Sequence, residues 1–388
     1  MKTTRLSVRL GLVVIMVSLL TTACGGRSVP TAAPAAMPNP QMPAWDALVL
    51  AAEKEGTVSV YGPPGAEIRK EVTEAWGSAF PKVTLEYTGV SGQQIFQKVR
   101  SEVESGVGGA DIIFNGTSQA VQRLKPDGIL EGPIDSWIIH PDALRQDAWI
   151  GGKGPLWIDK DKYLIAMASQ IGSALVYNKD QVAASELTGD ADLLNPKWRG
   201  KIITTNPFVG GAGSAPFEIA YSLHGEDYLR RLATQNITMT DDQRQVVDWV
   251  VQGRYSIGLG ASPAVVRTFL DQEVKNLGVV TDRNWSDQLG VGWGFAALWV
   301  PKNPHHPNAA KLFANWILTK EGQEAAVVRG LGYASARVDL ADLVKQSMYE
   351  FQIPDPNKQH ACTLCEDFMT GPIPDEVERI LRDARFGQ

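Results

Sequence analysis

The stretch Gly210-Gly211-Ala212-Gly213-Ser214 has the residue types of a ligand-holding loop. It follows a β-rich run, Lys201-Ile202-Ile203-Thr204-Thr205, that Asn206-Pro207 stops. Phe217, Ala220, Tyr221 and Leu223 then repeat at helical spacing. A loop between a strand and a helix start offers unpaired N–H groups and a positive helix end, which suit an anion or a carbonyl. The same glycines would equally serve a plain tight turn. Nucleotide motifs are excluded. No Lys precedes the terminal Ser, as a phosphate-cradling loop requires, and Pro216 stands where a dinucleotide fingerprint needs its third glycine.

His360, Cys362 and Cys365 form a second cluster. A short-range disulfide is expected there if the protein is exported. A redox Cys-x-x-Cys would follow a strand in a thioredoxin-like unit, and zinc would need a fourth ligand. His305-His306, between Pro304 and Pro307, reads as an exposed turn lacking a third ligand, so no metal site is nominated. There is no Gly-x-Ser-x-Gly and no His-Glu-x-x-His, so no catalytic residue is nominated and no enzyme is expected. A tethered extracytoplasmic hydrolase is the competing reading of another class.

The start of the chain bears on the compartment. Lys2, Arg5 and Arg9 precede an apolar run over 10–20, as in an export signal. Thr21-Thr22-Ala23 then precedes Cys24-Gly25-Gly26. This resembles the lipobox of bacterial lipoproteins, with Thr21 where a leucine is usual. The resemblance implies cleavage of residues 1–23 and lipid attachment at Cys24. An ordinary leader cut near Ala23 is the alternative. Residues 24–43 are rich in proline and alanine and read as an extended tether to a bilayer. The protein is therefore expected outside the cytoplasm, lipid-anchored or periplasmic. Its formal charge is −6, and losing Lys2, Arg5 and Arg9 with the leader takes it to −9. With no long basic run, nucleic acid is not an expected partner.

The elements that would position these residues repeat. Helix over 45–55, strand over 58–61, turn at Gly62-Pro63-Pro64-Gly65 and helix from 67 come first. Then come strand over 83–87, Ser91-Gly92 and a helix, and strand over 110–114, Asn115-Gly116-Thr117-Ser118 and a helix. Strand–loop–helix units in series predict an α/β fold with a mostly parallel sheet. Ligands sit beyond the carboxyl ends of such strands, which places Gly62, Gly65, Ser91, Gly92, Asn115, Thr117 and Ser118 along one edge. Later in the chain, a strand over 255–260 leads to Ser262, and a strand over 292–300 carries Trp293.

Trp45…Ala51-Ala52-Glu53-Lys54-Glu55-Gly56-Thr57-Val58-Ser59-Val60-Tyr61, Val176-Tyr177-Asn178-Lys179-Asp180, Leu193-Leu194-Asn195-Pro196-Lys197-Trp198-Arg199-Gly200-Lys201-Ile202 and Val300-Pro301-Lys302-Asn303-Pro304 resemble bacterial extracellular solute-binding proteins of the ferric-iron type. The likeness covers roughly residues 44–340. It implies a two-lobed, type II flytrap closing on a small-molecule solute, and a monomer that delivers it to an ABC-transporter permease. The expected organisation is lobe 1 over 44–168, lobe 2 over 169–285, a return to lobe 1 over 286–335, and a C-terminal segment, 336–388, packing mainly on lobe 2. Ferric binders of the family place two adjacent tyrosines after an Ile-Gly-Leu-like strand. Here Ile257-Gly258-Leu259-Gly260 is followed by Ala261-Ser262-Pro263. The candidate ligand residues are therefore Gly62, Gly65, Ser91, Gly92, Asn115, Thr117, Ser118, Gly211, Gly213, Ser214, Ser262 and Trp293. Their hydroxyls and amides suit a small organic anion or a preformed metal chelate as cargo, with direct ferric-iron binding as the alternative. No cofactor is expected.

Overall fold

The computed structural model describes residues 43–387 apart from 108, 210, 293 and 295. The leader, Cys24 and the tether lie outside the described residues. The strands are β1 (Thr57–Gly62), β2 (Thr84–Gly89), β3 (Ile112–Asn115), β4 (Leu130–Glu131), β5 (Leu156–Trp157), β6 (Ile165–Ala166), β7 (Ala174–Asn178), β8 (Ile202–Thr205), β9 (Thr238–Thr240), β10 (Ile257–Ala261), β11 (Leu277–Val279) and β12 (Ala297–Pro301).

They form two sheets, and each sheet organises a lobe. The first has the order β2-β1-β3-β12-β6-β5, with β4 beside β12. Here β1, β2, β3, β4 and β6 run one way, and β12 and β5 run against them. The second has the order β11-β7-β10-β8-β9, with only β7 opposed to the rest. Most strands of each sheet thus point one way, with parallel pairing at β2-β1-β3 and at β10-β8-β9 and antiparallel pairing where β12, β5 and β7 enter. β12 returns to the first sheet after the second has been completed, pairing Ala297 with Asn115, so lobe 1 is built from separated pieces of chain.

Local chemistry explains the elements. In the helix Ala66–Ala79, Ile68, Val72 and Trp76 are buried four residues apart, which puts them on one face. The indole of Trp76 donates to the carbonyl of Val83 (2.7 Å), tying that helix to the start of β2. The returning helix Pro307–Ile317 begins with proline and lacks a capping side chain of its own. Glu55, which ends the helix Pro43–Glu55, fills the gap by accepting from the N–H groups of Asn308 (3.2 Å) and Ala309 (2.7 Å). The first and the returning segments of lobe 1 are thereby fastened together. In lobe 2, Asp242 caps the helix Gln243–Val251 by accepting from Arg244 and Gln245.

The C-terminal segment is shared between the lobes, rather than packing mainly on lobe 2. Ala336 joins the lobe 1 core, and the buried guanidinium of Arg337 meets Asp142 (2.9 Å) and Asp339 (2.8 Å). Phe351 enters a lobe 2 core. The segment 355–360 then stays on lobe 2, where Asp282 accepts from the N–H of Asp355 and pairs with His360 (2.7 Å). At 361–363 the chain pairs with Val291, between the lobes. Cys365 and Met369 pack on the lobe 1 core, and Glu366 meets Lys125 (2.8 Å). The helix Ile373–Asp383 returns to lobe 2 and buries Val377, Ile380 and Leu381 there. The segment thus forms a strap crossing between the lobes, with Cys362 and Cys365 joined by a disulfide (Cα–Cα 5.3 Å).

Candidate functional site

A cleft of about 900 Å³ opens between the lobes. The lobe 2 wall is built from two helix starts. Gly211, Ala212 and Ser214 lead into the helix Ala215–Ala233, and Ser262 precedes the helix Pro263–Leu270. Two devices hold these loops in place. The hydroxyl of Ser173 donates to the carbonyl of Ala212 (2.9 Å), and Gln243 accepts from the N–H of Ser262 (2.9 Å). Gly260 closes the arrangement with a φ of +77°, and a Cβ there would come within 3.2 Å of the Ala212 carbonyl. Only glycine lets β10 end so close to the loop.

Arg267, one turn into its helix, lines the same wall, with Asp271 beside it (3.6 Å). Glu218 also lines the cleft. Burial pushes its carboxyl above the ordinary value, against the opposing pull of the Ser214 hydroxyl. This wall therefore sets two helix starts and Arg267 beside two carboxyls, Glu218 and Asp271.

At the cleft lie Gln170, from the first crossing between the lobes, and Gln352. Each is only 4 % exposed. Neither Oε1 has a hydrogen-bond partner among the described residues. Tyr333 and Leu331 of the returning chain, Gln122 of lobe 1, and Thr363, Leu364, Phe368 and Met369 of the strap line the cleft further. Burial pushes the Tyr333 phenol upward.

The residues nominated from the sequence separate into groups. Ser118, Gly211, Ser214 and Ser262 line the cleft. Gly213 lies behind it, where a Cβ would strike the Asn206 carbonyl at 2.5 Å. The turn at 62–65 is filled from within: the phenol of Tyr87 lies where a Gly62 Cβ would go (2.2 Å) and donates to the Pro63 carbonyl (2.8 Å). Gly65 stands just before the helix Ala66–Ala79 with Ile68 beneath it. Ser91 donates to Gln94 (3.0 Å) ahead of the helix Gly92–Ser105, which Gly92 opens. Asn115 is spent on the backbone, donating to Val90 (3.2 Å) and accepting from Gly116 (2.8 Å). Thr117 is 1 % exposed, its O–H facing the carbonyls of Gly294 (3.4 Å) and Leu364 (3.3 Å). Trp293 lies outside the described residues.

The histidines singled out in the sequence have partners elsewhere. His360 faces Asp282 rather than the cysteines, and the His306 ring pairs with Asp111 (2.9 Å). Two other groups could hold a cation. Asp159, Asp161 and Glu366 surround the Lys125 ammonium, each at 2.8 Å, so a cation is already supplied. Asp190, His224 and Asp287 converge in lobe 2, with His224 2.8 Å from Asp190 and 3.7 Å from Asp287. Sequence reasoning missed Arg267, Glu218, Gln170, Gln352, Tyr333 and the strap. For Arg267 a signal existed, since Ser262-Pro263 starts a helix and a residue one turn on faces the same way as its start.

No helix among the described residues is long and apolar enough to cross a membrane. No curated protein matches the sequence. Solved structures share the fold at low identity. The ferric iron-binding protein A of Mannheimia haemolytica, in an open conformation, superposes with a TM-score of 0.63 at 11 % identity, over 86 % of this chain and 99 % of that one. The Trichodesmium protein IdiA (FutA), in complex with iron and citrate, gives 0.62 at 16 % identity, over 85 % and 100 %. AfuA of Actinobacillus pleuropneumoniae, with fructose-6-phosphate bound, gives 0.50 at 18 % identity, over 85 % and 97 %. Residues 60–324 match the family described as bacterial extracellular solute-binding protein. With two lobes, a cleft between them and more than half its length matched, the chain belongs to the bacterial extracellular solute-binding protein family.

Proposed function

We propose that the protein captures a small solute carrying an anionic group in the cleft between its lobes and delivers it to the membrane permease of an ABC importer. The observation that carries this reading is the lobe 2 wall of the cleft, where Arg267 and the loops ahead of two helices face the same open space. Backbone N–H groups at helix starts and a guanidinium suit a negative group. Arg267 and the helix starts at 215 and 263 would receive the charge, with Ser118, Ser214 and Ser262 as hydroxyl partners. The chain is read as a carrier with no reaction of its own, exported and held at the membrane through a lipid on Cys24.

A second reading, direct capture of ferric iron, is favoured by the likeness to iron-binding structures and by Tyr333, Glu218 and Asp271 at the cleft. Solution scattering and calorimetry with organic phosphates, carboxylates, ferric citrate and free ferric ion separate the two. Compaction with an organic anion is expected. Tight binding of free ferric ion with no response to any anion would replace the first reading by the second. The mass of the mature protein extracted from membranes tests the lipid.

A further inference from the structure

We infer that the guest is an amphipathic anion: one carboxylate- or phosphate-type head held by lobe 2, and an aromatic or aliphatic body laid against the C-terminal strap. The inference rests on the carrier reading above and narrows its substrate class.

The two sides of the cleft differ in kind. Its charge-binding groups lie on lobe 2, at the helix starts and Arg267. The strap contributes Leu364, Phe368 and Met369, all half-buried and turned into the same cavity. Val209, beside the glycine-rich loop, is 67 % exposed and adds another apolar side chain. An apolar surface of this kind inside a cleft marks a place where something apolar is received. A polyhydroxylated body would fit these side chains poorly, because a hydroxyl laid on them would lose its water partners. The polar lining beyond the head group, among it Ser118, Gln122, Tyr333 and Thr363, borders this apolar surface and fixes how the body lies.

The apolar surface is a built part of the site. Before it, His360 is fixed to Asp282 and residues 361–363 are paired with Val291. The Cys362–Cys365 disulfide closes the loop that carries Leu364. Beyond it, Glu366 is held by Lys125, and the helix Ile373–Asp383 is seated on lobe 2. Both ends of the segment are therefore anchored, and the short helix Glu366–Met369 between them presents Phe368 and, beside the lobe 1 core, Met369 to the cavity.

Phenyl phosphate and glycerol 3-phosphate carry the same head on bodies of similar size, one apolar and one hydroxylated. Calorimetry on the full mature chain is expected to show phenyl phosphate binding at least tenfold tighter. Phe368→Ala should remove most of that preference by weakening phenyl phosphate far more than glycerol 3-phosphate, whereas Arg267→Gln should weaken both esters. Equal or tighter binding of glycerol 3-phosphate by the unmodified chain would overturn the inference, and that comparison needs no variant to fold. Phe368→Ala with the preference intact would also overturn it. If neither ester binds, the inference falls, and scattering with ferric citrate and free ferric ion then decides separately whether the carrier reading falls with it.

Discussion

The two edges that face the cleft are built from the same kind of unit, a strand, a glycine-bearing loop and a helix, yet they end differently. On lobe 2 the loop at 211–214 and Ser262 are propped from behind, by Ser173 and Gln243, and their front is left open. On lobe 1 the corresponding loops are occupied by the protein itself. Tyr87 fills the turn at 62–65, Asn115 ties its loop to Val90, and Leu364 covers Thr117. Glycines and hydroxyls beyond a strand therefore make a site only where no side chain of the same chain takes the space. Most of the nominated lobe 1 loop residues are thus taken up by contacts within the chain, with Ser118 left at the cleft beside the lobe 2 loops.

Substitutions can break this contrast. The largest effect is expected from Gly62→Ala, whose new Cβ would meet the anchored Tyr87 phenol. Overpacking of this kind costs about 3 kcal/mol. The melting temperature should fall, while the affinity of the folded fraction for phenyl phosphate stays the same; a lost affinity with unchanged melting would reverse the assignment.

Next is a pH series that sets one carboxyl of each lobe against the other. In lobe 2, burial pushes Asp190 from 3.8 up to about 6, only partly offset by His224. The folded state therefore holds that proton more tightly than the unfolded one. This contribution is complete below about pH 4 and is lost as the pH rises through about 6. In lobe 1, burial works to raise Asp142, but the Lys320 N–H and Arg337 outweigh it and hold the carboxyl low. Its contribution is present at neutral pH and lost as the pH falls toward that lowered value. Relative to the unmodified chain, Asp190→Asn should gain stability between pH 4 and 7, by at most about 3 kcal/mol, read as a rise in melting temperature. Asp142→Asn should show its greatest deficit at neutral pH, shrinking in acid. Parallel curves for the two variants would remove the distinction.

The last comparison pairs two hydroxyls. Thr117→Val should cost about 1 kcal/mol of stability and leave ligand affinity alone. Ser262→Ala should leave melting unchanged and weaken phenyl phosphate by a few-fold, about 0.5–1 kcal/mol. Thermal melts and calorimetry on both variants sharpen the contrast, and an exchange of the two phenotypes would undo it.

Much of the fold was legible because it is written locally. Ile68, Val72 and Trp76 announce one buried helix face, and the strand–loop–helix repeat announces the parallel pairing at β2-β1-β3. Ser214 and Ser262 could be placed at the cleft because each stands just before a helix. The rest depends on contacts distant in sequence. Tyr87 reaches back to Pro63, Leu364 covers Thr117 from 247 residues away, and Gln170 and Gln352 come to one cleft only after the chain has crossed between lobes. The segment 361–374 spaces Ala361, Leu364, Cys365, Phe368 and Met369 as in a helix, yet it is helical only over Glu366–Met369 and from Ile373 on. Nothing in its pattern reveals that it spans two bodies.

Because the strap adds stitches to the seam formed by the 166–174 and 279–297 passages, any rocking of one half against the other is divided among several chain segments. Each then absorbs a small torsional change, as in shear, instead of one pair of residues swinging freely. Closure spread over several segments changes the outline of the whole molecule, which is what scattering reads and what a receiver of the cargo would recognise.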